Sequence, residues 1–348
     1  LAFFTIAIMI MLIAMRRYSK AHLIGEANRL YSKLKNAGFD LEQCGLIAPL
    51  TLEINELKER QNTVILAHSY QTPDIIYGVA DFTGDSYQLS RKAQETKADK
   101  IIFSGVRFMA ETAKILNPDK KVYLPALDAG CSLAESITAK DVRKLKEKHP
   151  GVPVVVYVNT SAEVKAEADA CCTSANALKI VEAIPNDEIL FLPDELMLKN
   201  TQAMTKKKLI GWKGRCIVHQ KFKAEKIEVF RKKFPGLKVL AHTECEPAVI
   251  EASDFAGGTE GMIRFAEKTN APAYMMITEC GLAERMRVEL PKKNFIGMCG
   301  ICPYMKKNNL ALILQVLTNP KPEQEILIDE QTRKKAEKAL LEMFRLAK

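Results

Sequence analysis

Three cysteines, Cys131, Cys216 and Cys302, recur along the chain at separations of 85 and 86 residues. Cys302 is also half of a Cys-x-x-Cys pair with Cys299 in "FIGMCGICPYMKKN" (295–308). Such a pair alone admits zinc, a redox dithiol, or one ligand of an iron–sulfur cluster. A second set of chemistry-bearing residues keeps nearly the same period. His68 and Tyr70 in "AHSYQ", Tyr157 and Asn159 in "VYVNTS", and His242 and Glu244 in "AHTEC" each follow an apolar run. The small polar residues Ser86, Ser174 and Thr259 open the next helical patterns, at separations of 88 and 85. Tyr70 and Glu244 have the chemistry to exchange protons. The imidazoles of His68, His219 and His242, with Asn159, can orient anionic groups.

The elements that must position these groups are parallel α/β units. Apolar, β-branched runs alternate with helical patterns: "TVILAH", "KIIFSG", "KVYLPA", "VPVVVYVN", "EILFLP", "RCIVHQ", "LKVLAH" and "APAYMMIT". They fall into three cycles, each closing on one of the three cysteines. A period this long is a triplicated domain rather than a solenoid, whose repeats are shorter. The expected division is an apolar extension outside the fold (1–15) and an N-terminal helical segment (16–62). Repeats follow at 63–131, joined by C-terminal helices 303–348, then at 132–216 and 217–302.

In open α/β sheets, sites form beyond the carboxyl ends of the strands. Three domains aiming those ends inward would gather three thiolates at one place, with helix-start N–H groups around them for carboxylate or phosphate. Three convergent single cysteines suit a four-iron cluster with one iron left open, and make a poor structural zinc site. Cys302 is then a ligand and Cys299 a bystander. Cys44, Cys171, Cys172, Cys245 and Cys280 read as buried small hydrophobes.

At 348 residues, 47% hydrophobic and 27% charged, the chain has an ordinary globular composition. Nine cysteines without dense spacing exclude a secreted disulfide framework and favour a reducing cytoplasm. The net charge of +9 is spread over helical faces, with no aromatic-interleaved basic patch, so nucleic acid is not the expected partner. The segment "LAFFTIAIMIMLIAM" would reach about 22 Å as a helix, short of a ~30 Å hydrocarbon core. It reads as an extension, with a short membrane anchor as the alternative.

From Thr63 to Asn308 the chain resembles the quinolinate synthases. The likeness rests on "ILAHSYQ", "ADFTGDSYQLS", "NPDKKVYLPALDAGC", "VVVYVNTSAEVKAEAD", "CTSANA", "GRCIVHQ", "AHTEC" and "MKKN". It implies a pseudo-threefold, triangular arrangement of three homologous parallel-sheet α/β domains around a central cavity. It also implies a [4Fe-4S] cluster on Cys131, Cys216 and Cys302, whose open iron acts as a Lewis acid. The implied reaction condenses iminoaspartate with dihydroxyacetone phosphate to quinolinate, releasing phosphate and two waters, in NAD biosynthesis. An L-aspartate oxidase or aspartate dehydrogenase would supply the iminoaspartate.

By motif, Tyr70 and Glu244 are implied as catalytic. His68, Ser86, Tyr157, Asn159, Ser174, His219, His242 and Thr259 are implied to hold substrate. The chain departs from the usual pattern at Ser69, where the family has Asn, and at Gly258, where Gly-Ser-Thr is frequent. Two other readings are an iron–sulfur hydro-lyase acting on another hydroxy acid and a non-catalytic redox sensor. The inward ring of His, Tyr, Glu and Asn argues for an enzyme.

Overall fold

The computed structural model describes residues 17–296 and 298–348. The segment 1–15 and the Cys299 side chain lie outside the described residues.

Among the described residues the strands form three parallel sheets. The first contains β1 (Thr63–His68), β2 (Phe82–Gly84), β3 (Lys100–Ser104) and β4 (Lys121–Tyr123) in the order β2-β1-β3-β4. The second contains β5 (Val154–Tyr157), β6 (Ala170–Cys172), β7 (Glu188–Leu192) and β8 (Lys208–Ile210) in the order β6-β5-β7-β8. The third contains β9 (Lys238–His242), β10 (Phe255–Gly257), β11 (Tyr274–Glu279) and β12 (Phe295–Ile296) in the order β10-β9-β11-β12. A further short strand, β13 (Cys299–Gly300), pairs with β11. The same order thus appears three times, as the triplicated reading expects.

Register makes the equivalence residue by residue. His68 pairs with Gly84, Tyr157 with Cys172 and His242 with Gly257. His68, Tyr157 and His242 therefore occupy one slot in three sheets. The next side chain on that face is Tyr70, Asn159 or Glu244.

Parallel strands are buried on both faces, which explains their unbroken apolar runs. Val64 and Leu66 of β1 join the large central core, while Ile65 and Ala67 face an outer one. In β11, Tyr274 and Met276 join the central core, and Met275 and Ile277 an outer one. All four residues of β5 belong to the central core, which all three sheets share. Helix Leu310–Thr318 packs on helix Leu41–Arg60 and on β3, closing the outer core of the first sheet. The apolar stripe of helix Glu330–Leu346 lies on β6 and on helices Arg107–Leu116 and Ala162–Lys165. Among the described residues no helix is long and apolar enough to cross a membrane.

One local reading is corrected. The run "RCIVHQ" is not a strand: β8 ends at Ile210, and Cys216 opens a turn into the 3-10 helix His219–Lys221. There the Gln220 N–H turns back to the Cys216 carbonyl. Cys171 and Cys172, expected as buried small hydrophobes, lie within β6, fully buried.

Candidate functional site

The three lead strands, β1, β5 and β9, end at one cavity. It holds about 730 Å³, counting space open to solvent, and all thirteen site residues expected from the sequence line it. They are the three cysteines, Tyr70, Glu244, His68, Ser86, Tyr157, Asn159, Ser174, His219, His242 and Thr259.

The turn after the lead strand is built alike in the first and third repeats. His68 Nδ1 accepts the Tyr70 N–H at 3.1 Å, and His242 Nδ1 accepts the Glu244 N–H at 3.3 Å. A neutral imidazole that accepts at Nδ1 carries its proton on Nε2, so both rings are left as donors. Burial, with neighbouring cations or imidazole, pushes both His68 and His242 down to about 3. Both are therefore neutral near pH 7.

A continuous hydrogen-bond chain then crosses the cavity wall. The Tyr70 hydroxyl lies 2.7 Å from Thr278 Oγ1, which lies 3.0 Å from His219 Nε2. His219 Nδ1 lies 2.7 Å from Glu244 Oε2, and the Tyr157 hydroxyl donates to Glu244 Oε1 at 2.7 Å. All three repeats contribute to this chain. Burial opposes ionisation of Glu244, but the surrounding imidazoles and the bonds from His219 and Tyr157 outweigh it. Its carboxyl is held well below the usual range. With His242 neutral, the two hydrogen bonds are the durable part of that effect. Burial instead drives the Tyr70 hydroxyl far up, so it stays a neutral phenol. Two groups pushed apart in this way divide acid and base roles.

The three cysteines sit in equivalent turns. The Cys131, Cys216 and Cys302 carbonyls each accept the N–H four residues on. Each sulfur is approached by backbone N–H groups two and three residues on: Leu133 and Ala134, Val218 and His219, Tyr304 and Met305. Burial raises all three thiols, Cys131 to about 12, so a bound metal must displace their protons. The loops are also tied together. Ser132 Oγ donates to the Arg215 carbonyl and accepts the Ile217 N–H, bracketing Cys216. Glu135 accepts the Cys131 N–H through Oε1 and the Tyr304 hydroxyl through Oε2.

Convergent thiols with N–H groups at their sulfurs are a donor set that fits an iron–sulfur group. A tighter set among the described residues is Cys216, His219 and Glu244, whose ligand atoms lie within 4.8 Å of one another. Both nitrogens of His219 are already engaged, by Glu244 and Thr278. That leaves this set the weaker metal site.

The rest of the wall suits anions. Ser86 opens a helix capped by Asp85 and Gln88. Thr259 Oγ1 and Asn159 Oδ1 are buried at the cavity without partners, as groups awaiting a ligand would be. Gly258 lets the Thr259 helix approach closely, since a Cβ there would meet Ser174 Oγ at 2.9 Å. Ser69 does not line the cavity: it is buried and accepts a bond from Arg285 at 2.8 Å. Cys245 is also turned away, its Sγ 3.8 Å from the Ile277 carbonyl in an outer core.

Sequence reasoning missed Thr278, Glu279, Ser132 and Tyr304. For Glu279 a signal existed. It caps the helix after the third strand, as Asp194 does in the second repeat.

Three parallel α/β sheets of one strand order, meeting at a cavity lined by three thiols, an ionised carboxylate and a neutral phenol, describe an α/β enzyme with candidate metal-binding residues. Comparison places the class. The description "Quinolinate synthetase A protein" matches residues 52–345, and the chain belongs to that family. It is 45% identical over 321 residues to the quinolinate synthase of Sinorhizobium fredii, covering 92% of this chain and 89% of that protein. It is 50% identical over 264 residues to quinolinate synthase 2 of Mesorhizobium japonicum, covering 76% and 82%. Its identity to the Caulobacter vibrioides quinolinate synthase is 46% over 303 residues, covering 86% and 82%.

Proposed function

We propose that this chain is a quinolinate synthase, condensing iminoaspartate with dihydroxyacetone phosphate to quinolinate, phosphate and two waters. Cys131, Cys216 and Cys302 would hold a [4Fe-4S] cluster. One observation carries the reading: the thiols line the same cavity as Tyr70, His219, Glu244 and Tyr157, which are joined in one hydrogen-bond chain through Thr278. When bound, the cluster supplies Lewis acidity at an iron that no cysteine ligates.

The chain's own residues do the rest. The condensation needs protons removed from carbon and delivered to departing hydroxyls. Glu244, kept ionised at the cavity, takes the carbon-bound proton, and a proton passes on through His219 to Thr278. Tyr70, kept neutral, donates from its hydroxyl and is reprotonated along Thr278 Oγ1. The unpartnered Thr259 hydroxyl, with the Nε2–H groups of His68 and His242, orients substrate carboxylate and phosphate, and Asn159 Oδ1 accepts from a substrate hydroxyl or N–H. The general acid–base part of such a site contributes about 10²–10⁴-fold. An L-aspartate oxidase or aspartate dehydrogenase in the same cytoplasm would supply the iminoaspartate.

Anaerobic reconstitution with iron and sulfide, followed by assay of quinolinate from both substrates, tests the proposal. Formation of quinolinate that depends on iron is expected. A chain that loads iron yet makes none would refute the assignment.

A further inference from the structure

Glu279 ends β11 at the cavity wall and is only 1% exposed. Its carboxylate serves three segments. Oε2 accepts the Gly281 N–H at 2.6 Å, capping helix Cys280–Glu289, and Oε1 accepts the Cys302 N–H at 3.2 Å. Lys306 Nζ lies 3.2 Å from Oε1.

Lys306 has a second bond. Its ammonium donates to the Tyr70 carbonyl at 2.5 Å, across 236 positions of chain. The residue before Glu279, Thr278, holds the Tyr70 hydroxyl. The helix start is pressed against the same turn, because a Cβ on Gly281 would meet the Tyr70 carbonyl oxygen at 2.7 Å. Tyr70 is thus held at its backbone and at its hydroxyl by the unit that holds the Cys302 loop.

We propose that Glu279 and Lys306 are a positioning pair that fixes Tyr70 and the Cys302 loop in one frame. The inference rests on reading Cys302 as an iron ligand and Tyr70 as catalytic. A buried carboxylate could satisfy a helix cap and one N–H without a cation. The cation is what extends the frame to Tyr70. Partners lying behind metal ligands typically contribute about 10–100-fold in metal affinity or activity.

Three variants separate the two arms of the pair. Glu279→Gln keeps the shape but weakens the hold on both Cys302 and Lys306. Lys306→Met removes the bond to Tyr70 and leaves the Cys302 N–H bond in place. Lys306→Arg keeps a cation of comparable reach. In iron-loaded protein, Lys306→Met is expected to lower kcat about tenfold or more, with KM and chelator-driven iron release near the parent's. Glu279→Gln should lower kcat and also speed iron release about tenfold. The double variant should be no worse than Glu279→Gln alone, since both act through one link. Lys306→Arg should recover most of the turnover.

In iron-free protein, alkylation of Cys302, located by peptide mass mapping, should be faster in Glu279→Gln than in the parent. Parent-like kcat in Lys306→Met, additive losses in the double variant, or unchanged Cys302 alkylation in Glu279→Gln would each overturn the proposal. A parent that binds no iron would refute the cluster reading instead, and the alkylation arm would still decide the role of Glu279.

Discussion

Thr278→Val is the cleanest probe of the hydrogen-bond chain. Valine has the shape of threonine, and residue 278 is 1% exposed in β11, so the substitution removes a hydroxyl and little else. Two bonds disappear, at 2.7 Å to the Tyr70 hydroxyl and 3.0 Å to His219 Nε2. A buried polar group left without its partner costs about 1–3 kcal/mol, and both groups border a cavity where water can take over part of the loss. Melting of the iron-free chain should therefore shift only modestly. Turnover should fall more. If the hydroxyl both orients Tyr70 and returns its proton, losing about 1.4–2.8 kcal/mol of transition-state stabilisation lowers kcat roughly 10- to 100-fold. Thr278→Ser keeps the hydroxyl and should stay near the parent. Steady-state assays on anaerobically loaded protein, at matched iron content, read both variants. Near-normal kcat in Thr278→Val would refute the relay, and equal losses in the Val and Ser variants would make the effect one of packing.

Other outcomes follow from the same geometry. Replacing Cys131, Cys216 or Cys302 with Ser should abolish iron-dependent absorbance near about 400 nm, as expected of thiolate-held iron. Cys171→Ser and Cys245→Ser, whose sulfurs lie away from the cavity, should keep it. Gly130→Ala places a Cβ 2.0 Å from Glu135 Oε1, so Glu135 must release the Cys131 N–H. Iron loading, measured by titration, should weaken. His68, buried and held at about 3 against roughly 6.5 in the unfolded chain, costs stability under acid. As pH falls from about 6.5 toward 3, the unfolded chain takes up a proton that the folded chain refuses, with a slope of about 1.4 kcal/mol per pH unit. Urea unfolding of iron-free His68→Gln against the parent should show that much shallower an acid decline.

Much of this was legible before the fold was known. The long apolar runs became β1, β3, β5, β7, β9 and β11, because strands buried on both faces write themselves as unbroken apolar stretches. The recurrence of cysteine, histidine and small hydroxyl residues located the cavity, because repeated sheets repeat their strand ends. Short edge strands were not legible: three residues in β2, β6 and β10 carry no periodicity. "RCIVHQ" misled for the opposite reason, since its apolar residues pack beneath a turn as they would in a strand. Thr278 and Glu279 were overlooked because their partners, Tyr70, His219 and Lys306, lie in other repeats or loops. Pairing at such distances in sequence leaves no local pattern. Glu135 and Ser132 stayed hidden for the same reason.

The slot two residues beyond each lead strand holds Tyr70, Asn159 and Glu244. Three identical subunits arranged about an axis would present the same side chain there three times. Such a ring can offer a ligand only triplicate chemistry. Fusion into one chain removes that restriction, because each copy of the slot mutates alone. The three cysteine turns kept the same residue and the same backbone bond. The neighbouring position became a phenol, an amide and a carboxylate, three different instruments cut from one ancestral fitting.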